Sequence, residues 1–110
     1  MRRKESDMMQ SLAELRVTRS AGRLARVQVR IDDLQARAEA LRRVDGAPVE
    51  SVTEARVRDK WAIWRAGEVV RLNGEIARLE AQAQPLREAN ARDRARRAVL
   101  ARLLGGPRGI

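Results

Sequence analysis

The chain has 110 residues, with 24 Lys or Arg against 15 Asp or Glu, and its only aromatic residues are Trp61 and Trp64. A compact core normally uses several aromatic side chains, each burying about 150 to 250 Å², so this composition excludes an ordinary globular core. Abundant Ala, Leu, Arg and Glu are typical of long helices and coiled coils. Because the chain has no Cys or His, thiolate and imidazole catalysis and ordinary zinc or haem ligation are excluded. We expect a protein that is not an enzyme and that binds no cofactor or metal.

The sequence also carries no membrane signal. No run approaches about 18 consecutive apolar residues, and the first residues, Met1-Arg2-Arg3-Lys4, lead into charged side chains and not into an apolar segment. We expect a cytoplasmic protein.

The first predicted helix covers residues 4–43. Its apolar residues follow the alternating three-and-four spacing of a heptad seam. This seam consists of Leu24, Val27, Ile31, Leu34, Ala38 and Leu41. An earlier seam of Met8, Leu12 and Leu15 is out of phase with it. We therefore expect a stutter or bend around Thr18, Ser20 and Gly22, where the helix pairing should be least well defined.

A loop is predicted at 44–50, because Gly46 can end a helix and Pro48 cannot continue one. The second helix covers 51–104, and its start, Ser51-Val52-Thr53-Glu54, fits a capping box. Its seam consists of Val69, Leu72, Ile76, Leu79, Ala83 and Leu86, with Leu100 and Leu104 following polar Asn90, Asp93 and Arg97. Residues 105–110 are predicted to be a frayed tail.

Two long helices joined by a short loop favour an antiparallel pair. The predicted fold is therefore all-α: a single domain over 1–110, formed by a long two-helix antiparallel coiled-coil hairpin with a longer, overhanging second helix. If Val44 faces Ser51, Trp61 and Trp64 lie opposite Leu34 and Ile31. Residues beyond about Asn90 then have no partner in the first helix.

The predicted overhang combines basic and apolar side chains, so it is a candidate partner-binding surface. Its residues are Arg92, Arg94, Arg96, Arg97, Leu100, Leu103 and Leu104. Two alternatives remain open. The leucines could pack on the Met8 and Leu12 region as a solvated coiled-coil end, or the arginines could attract an anionic membrane or nucleic acid.

The second candidate surface is the tryptophan pair. Trp61 and Trp64 lie three residues apart, on one helix face. One of them is expected to fill the seam, whereas the other should be partly exposed and available as an interface anchor. The acidic residues follow no recognised metal-ligand spacing, and we expect them to be solvated.

The sequence resembles the FliJ and YscO type of type III secretion stalk protein. The most residue-like element is Trp61-Ala62-Ile63-Trp64 followed by Val69, Leu72 and Ile76. The resemblance implies a non-enzymatic protein similar to the central stalk of rotary ATPases. It implies that the terminal helix from Arg92 to Leu104 enters the pore of a hexameric export ATPase, and that the tryptophans contact the export gate.

Two other functions fit the same sequence. A pI near 11.6 and the run of arginines favour a basic coiled coil that binds nucleic acid non-specifically, although stacking aromatics are missing. Alternatively, two copies could form a homodimeric four-helix bundle that buries both tryptophans.

Overall fold

The computed structural model describes residues 2–43 and 48–105, and it confirms an all-α, two-helix hairpin with a longer second helix. Helix α1 is Arg3–Arg42 (40 residues) and helix α2 is Val52–Leu100 (49 residues). The last predicted turn of the second helix is instead a π-helix, Ala101–Gly105. Of the predicted loop and tail, residues 44–47 and 106–110 lie outside the described residues.

The start of α2 is capped much as predicted. The Glu54 N–H donates to Ser51 Oγ at 3.0 Å, as a capping box requires. The Glu54 carboxylate accepts from the N–H of Glu50 at 3.0 Å, one residue before the expected Ser51. The cap therefore fixes the residues preceding the helix as well as its first turn.

The buried face of α1 is a single heptad seam, and the predicted change of phase near Thr18 is wrong. Met8, Leu12 and Leu15 are exposed. Small and polar residues take their place and continue the main seam without interruption. The buried and half-buried positions on this seam are Ser6, Gln10, Ala13, Val17, Ser20, Leu24, Val27, Ile31, Leu34, Ala38 and Leu41.

The inner seam of α2 follows the predicted pattern, including its continuation to Leu100 and Leu104, and it also extends before Val69. Asn90 is buried on this seam, and Leu100 and Leu104 are partly buried further along it. Before Val69 the same spacing continues through small or basic residues that are only half-buried. These earlier positions are Ala55, Arg58, Ala62 and Arg65.

The chain divides into two units, of which the middle unit is Val29–Glu80. Its core consists of Leu34, Ala38 and Leu72, with Leu41, Ile76 and Leu79 packed against it. Near the end of α1, Arg42 Nη2 donates to Asn73 Oδ1 at 3.3 Å. Before Asn73, no side chain of the described residues 48–71 is buried.

The terminal unit is Met1–Gln28 with Ala81–Ile110. Asn90 Nδ2 donates to Ser20 Oγ at 3.1 Å and to the Val17 carbonyl oxygen at 3.5 Å. Arg87 Nη2 donates to Gln28 Oε1 at 3.3 Å. Here α1 and α2 lie together as far as Met9 and Leu100, which line one groove between the helices.

These contacts correct the predicted pairing of the helices. Pairing Ser20 with Asn90 differs by about two heptads from the predicted pairing of Ile31 with Trp64. The unpaired part of α2 is therefore its beginning and not the segment beyond Asn90. The predicted position of the tryptophans opposite Leu34 and Ile31 is wrong for the same reason.

None of the helices in the described part of the chain is both long enough and apolar enough to cross a membrane.

Candidate protein-binding surfaces

An apolar groove lies between the two helices of the terminal unit. Its volume is about 520 Å³. Apolar side chains from both helices form most of its wall, and three charged side chains also line it. The lining residues are Met9, Leu12, Ala13, Arg16, Asp93, Ala95, Arg96, Val99 and Leu100. We call this feature the terminal groove.

The predicted partner-binding residues divide at the terminal groove. Arg96 and Leu100 line it, and Leu100 is partly buried. Leu104 is also partly buried, whereas Leu103 is 71% exposed on the π-helix. The remaining predicted residues, Arg92, Arg94 and Arg97, are exposed and do not line the groove.

Positive charge is concentrated in the terminal unit. That unit contains 14 basic and 5 acidic residues, which is the whole net charge of +9, whereas the middle unit contains 10 of each. Four arginines, Arg16, Arg19, Arg23 and Arg96, help to line a second pocket of about 320 Å³. The terminal unit therefore offers an apolar surface beside a strongly basic one.

The tryptophans form an exposed apolar surface on the unpaired part of α2. Their rings are stacked, with centroids 4.8 Å apart and planes inclined by 23°. Trp61 is 51% exposed and Trp64 is 52% exposed, so the expectation that one of them fills the seam is wrong. Val57, also exposed, lies one turn before Trp61. We call Val57, Trp61 and Trp64 the Trp patch.

Beside the Trp patch lies a pocket of about 280 Å³, lined in part by Arg37, Leu41, Trp64 and Glu68. Arg71 Nε donates to Glu68 Oε1 at 3.1 Å, and Arg71 also pairs with Glu75 at 3.6 Å. The hydrogen bond from Arg71 lowers the pKa of Glu68, and the same bond raises the pKa of Arg71. This border of the patch therefore stays charged at neutral pH.

Sequence reasoning missed part of both surfaces. Met9, Leu12 and Ala13 were assigned to an early seam or to none, although they form the α1 wall of the terminal groove. The sequence signal that could have found them is the spacing of the main seam. Continued from Leu24 back through Ser20 and Val17, it reaches Ala13 and places Met9 and Leu12 beside the seam. Within residues 2–43 and 48–105, no cluster of three or more acidic side chains could hold a metal ion.

The sequence matches no protein-family model, and it shows no significant similarity to a curated protein or to a solved structure.

Proposed function

We propose that this chain is a non-enzymatic stalk or adaptor of a flagellar or related type III protein export apparatus. In this proposal the terminal unit binds the hexameric export ATPase, and Trp61 and Trp64 contact the export gate. The proposal rests on the resemblance to the FliJ and YscO proteins, and the fold supports it. The protein is cytoplasmic in this proposal, and it is held at the inner membrane only by its partners.

The observation that carries the proposal is the terminal groove. Its wall includes the exposed side chains of Leu12 and Val99, one from each helix, and these offer apolar surface that a partner can bury. The arginines around it favour a partner with acidic side chains, because complementary charge speeds association and excludes wrong partners. The ATPase would therefore contact both helices of the terminal unit, and not an isolated overhang of α2.

The mechanism that follows is allosteric. A single hairpin in a symmetric ring contacts the ring subunits unequally. Contacts that are stronger in one subunit conformation shift the population towards that conformation. The chain would thus stimulate ATP hydrolysis without supplying a catalytic group.

The experiment is ATPase stimulation by a variant whose changes avoid the buried seam. Leu100 and Leu104 are partly buried, so changing them would also weaken the hairpin. We therefore choose Leu12→Ser with Val99→Ser, because both side chains are exposed and line the groove. This variant should reduce affinity for the ATPase by roughly tenfold or more if these side chains are anchors.

Val29→Ser is the matched control, because Val29 is an exposed valine in the middle unit. It should stimulate the ATPase as the natural chain does. Undiminished stimulation by the double variant would contradict the groove assignment. No binding of the natural chain to a purified export ATPase at about 0.3 M salt, where weak surface attractions are screened, would reject the proposed function.

The pocket lined by four arginines favours a second candidate function, the non-specific binding of nucleic acid. Phosphates would bind these guanidinium groups with little regard for base sequence. If this function is correct, affinity for a DNA duplex falls steeply with salt concentration. Arg19→Ala with Arg23→Ala should then lower the slope of log affinity against log salt concentration by about two, one for each lost phosphate contact. An unchanged slope would argue against it.

A further inference from the structure

The first five turns of α2 are only half of a helix pair. Among the described residues 48–71 no side chain is buried, and the Trp patch is exposed on this segment. Covering a tryptophan side chain removes a large apolar area from water. The two rings are stacked on each other in the unbound chain. An exposed aromatic surface that is already ordered is typical of an interface.

The Trp patch belongs to a second seam on α2, distinct from the seam that faces α1. Its members are spaced by three and four residues, the spacing that lets two helices pack along their length. We call it the outer seam. It consists of Glu54, Val57, Trp61, Trp64, Glu68 and Arg71. Its last three members border the end of α1, where they line a pocket together with Arg37 and Leu41.

From this pattern we infer that a second copy of the chain covers the outer seam, with the two α2 helices antiparallel. A two-fold axis between Trp61 and Trp64 brings Trp61 of one protomer level with Trp64 of its partner. The same axis brings Glu54 level with Arg71. The seam thus has an apolar centre, and opposite charges meet at both ends of the interface.

The charge distribution favours a second copy over an acidic or basic partner at this site. The middle unit has 10 basic and 10 acidic residues, so two middle units do not repel each other through net charge. A strongly charged partner would find no net charge to recognise there. The terminal unit, with 14 basic and 5 acidic residues, would oppose self-association through its own surface.

The available area implies a weak dimer. About half of each tryptophan is exposed, which is on the order of 100 Å² per ring system. With the flanking residues, two protomers would together bury on the order of 1,000 Å², near the lower limit for a specific interface. We therefore expect dissociation constants of about 10 to 100 μM. The inference does not depend on the proposed function, because it uses only the exposed seam and the charges of this chain. A gate protein that binds the same patch would compete with the second copy.

Sedimentation equilibrium of the full chain between about 1 and 300 μM, a range that spans the expected dissociation constant, tests this inference. The mass should rise from monomer to dimer. The tryptophan emission should shift to shorter wavelength over the same range, because both fluorophores lie in the interface. A monomeric mass throughout would overturn the inference, and so would a dimer whose emission does not shift.

Two sets of variants locate the contact. Trp61→Ala with Trp64→Ala should leave a monomer at all concentrations, with helicity by circular dichroism showing that the fold is kept. Ile63→Ala is the matched control, because Ile63 is 74% exposed but is not a member of the outer seam. Equal loss of dimer in this control would overturn the assignment.

A charge exchange tests the antiparallel direction. Glu54→Arg places like charges together at both ends and should weaken the dimer more than Glu54→Gln does, which removes the same capping carboxylate without adding a positive charge. Adding Arg71→Glu restores opposite charges there and should recover it. In a parallel pair each residue would meet its own copy, so the second substitution would bring no recovery, and that result would refute the antiparallel arrangement.

Discussion

The buried polar contact between Ser20 and Asn90 should be energetically coupled and should set the pairing of the helices in the terminal unit. Asn90 is only 8% exposed. Its amide donates to Ser20 Oγ at 3.1 Å, and Ser20 Oγ itself lies 3.2 Å from the Val17 carbonyl oxygen that it donates to. The amide and the hydroxyl thus depend on each other for part of their hydrogen bonding. A coiled coil often uses such a buried polar layer to select one register.

The perturbation is Asn90→Ala, alone and combined with Ser20→Ala. One hydrogen bond of this kind contributes about 1 kcal/mol net, and a buried group left without its partner costs about 1 to 3 kcal/mol. Ser20 keeps its bond to Val17 when Asn90 is lost, so we expect about 1 to 2 kcal/mol for Asn90→Ala. The double variant should cost about 1 kcal/mol less than the sum of the two single variants.

The assay is urea unfolding followed by helical circular dichroism, with a double-mutant cycle over the four proteins. Asn73→Ala is the control, because Asn73 is an exposed asparagine that accepts a hydrogen bond from Arg42, and it should change stability by less than about 0.5 kcal/mol. Additive effects of Ser20→Ala and Asn90→Ala, within about 0.3 kcal/mol, would show that the contact does not couple the helices.

Three further predictions concern single residues. Gly22→Ala should stabilise α1 by about 0.5 to 1 kcal/mol, because the added Cβ would meet no atom within 4 Å apart from the adjoining residues and the nearby backbone of its own helix; a lower Tm in thermal unfolding would contradict this. Ser51→Ala should cost about 1 kcal/mol through loss of the N-cap, whereas Thr53→Ala, outside the cap, should have little effect in the same urea titration. Because Arg71 lowers the folded-state pKa of Glu68 from its ordinary 4.5, this pair stabilises the fold above about that pH, and the contribution is lost as pH falls through the lowered pKa. Glu68→Gln should make unfolding less sensitive to pH in that acid range, and an unchanged pH profile would count against the pair.

The fold class and the main seams could be predicted from the sequence, because long apolar heptads can bury their face only against another helix. Ile31, Leu34 and Ala38 are buried as predicted. The seam in the early part of α1 could not be predicted from large apolar residues, because small residues occupy its buried positions. Ala13 and Ser20 take the seam there, whereas the larger residues border the terminal groove.

The pairing of the two helices could not be predicted from periodicity. Sliding one heptad seam along another by seven residues restores equivalent positions, so the pattern alone accepts several pairings. The assumption that Val44 faces Ser51 across a tight loop predicted a pairing of the helices that is wrong by about two heptads. The polar side chains of Ser20 and Asn90 distinguish the alternatives, because a buried amide needs a hydrogen-bonding partner. Both candidate surfaces depend on this pairing, and their composition was therefore only partly predictable.

The uninterrupted seam of α1 also limits how the length of this chain can change during evolution. Seven residues inserted into α1 alone, between Val27 and the end of that helix, would leave Asn90 facing Val27 and without its hydrogen-bonding partner. Matched insertions of seven residues in both helices would keep the polar contact and every apolar layer. Homologous chains that differ in length should therefore differ by paired heptads, so that a long and a short member of the lineage retain the same contact between serine and asparagine.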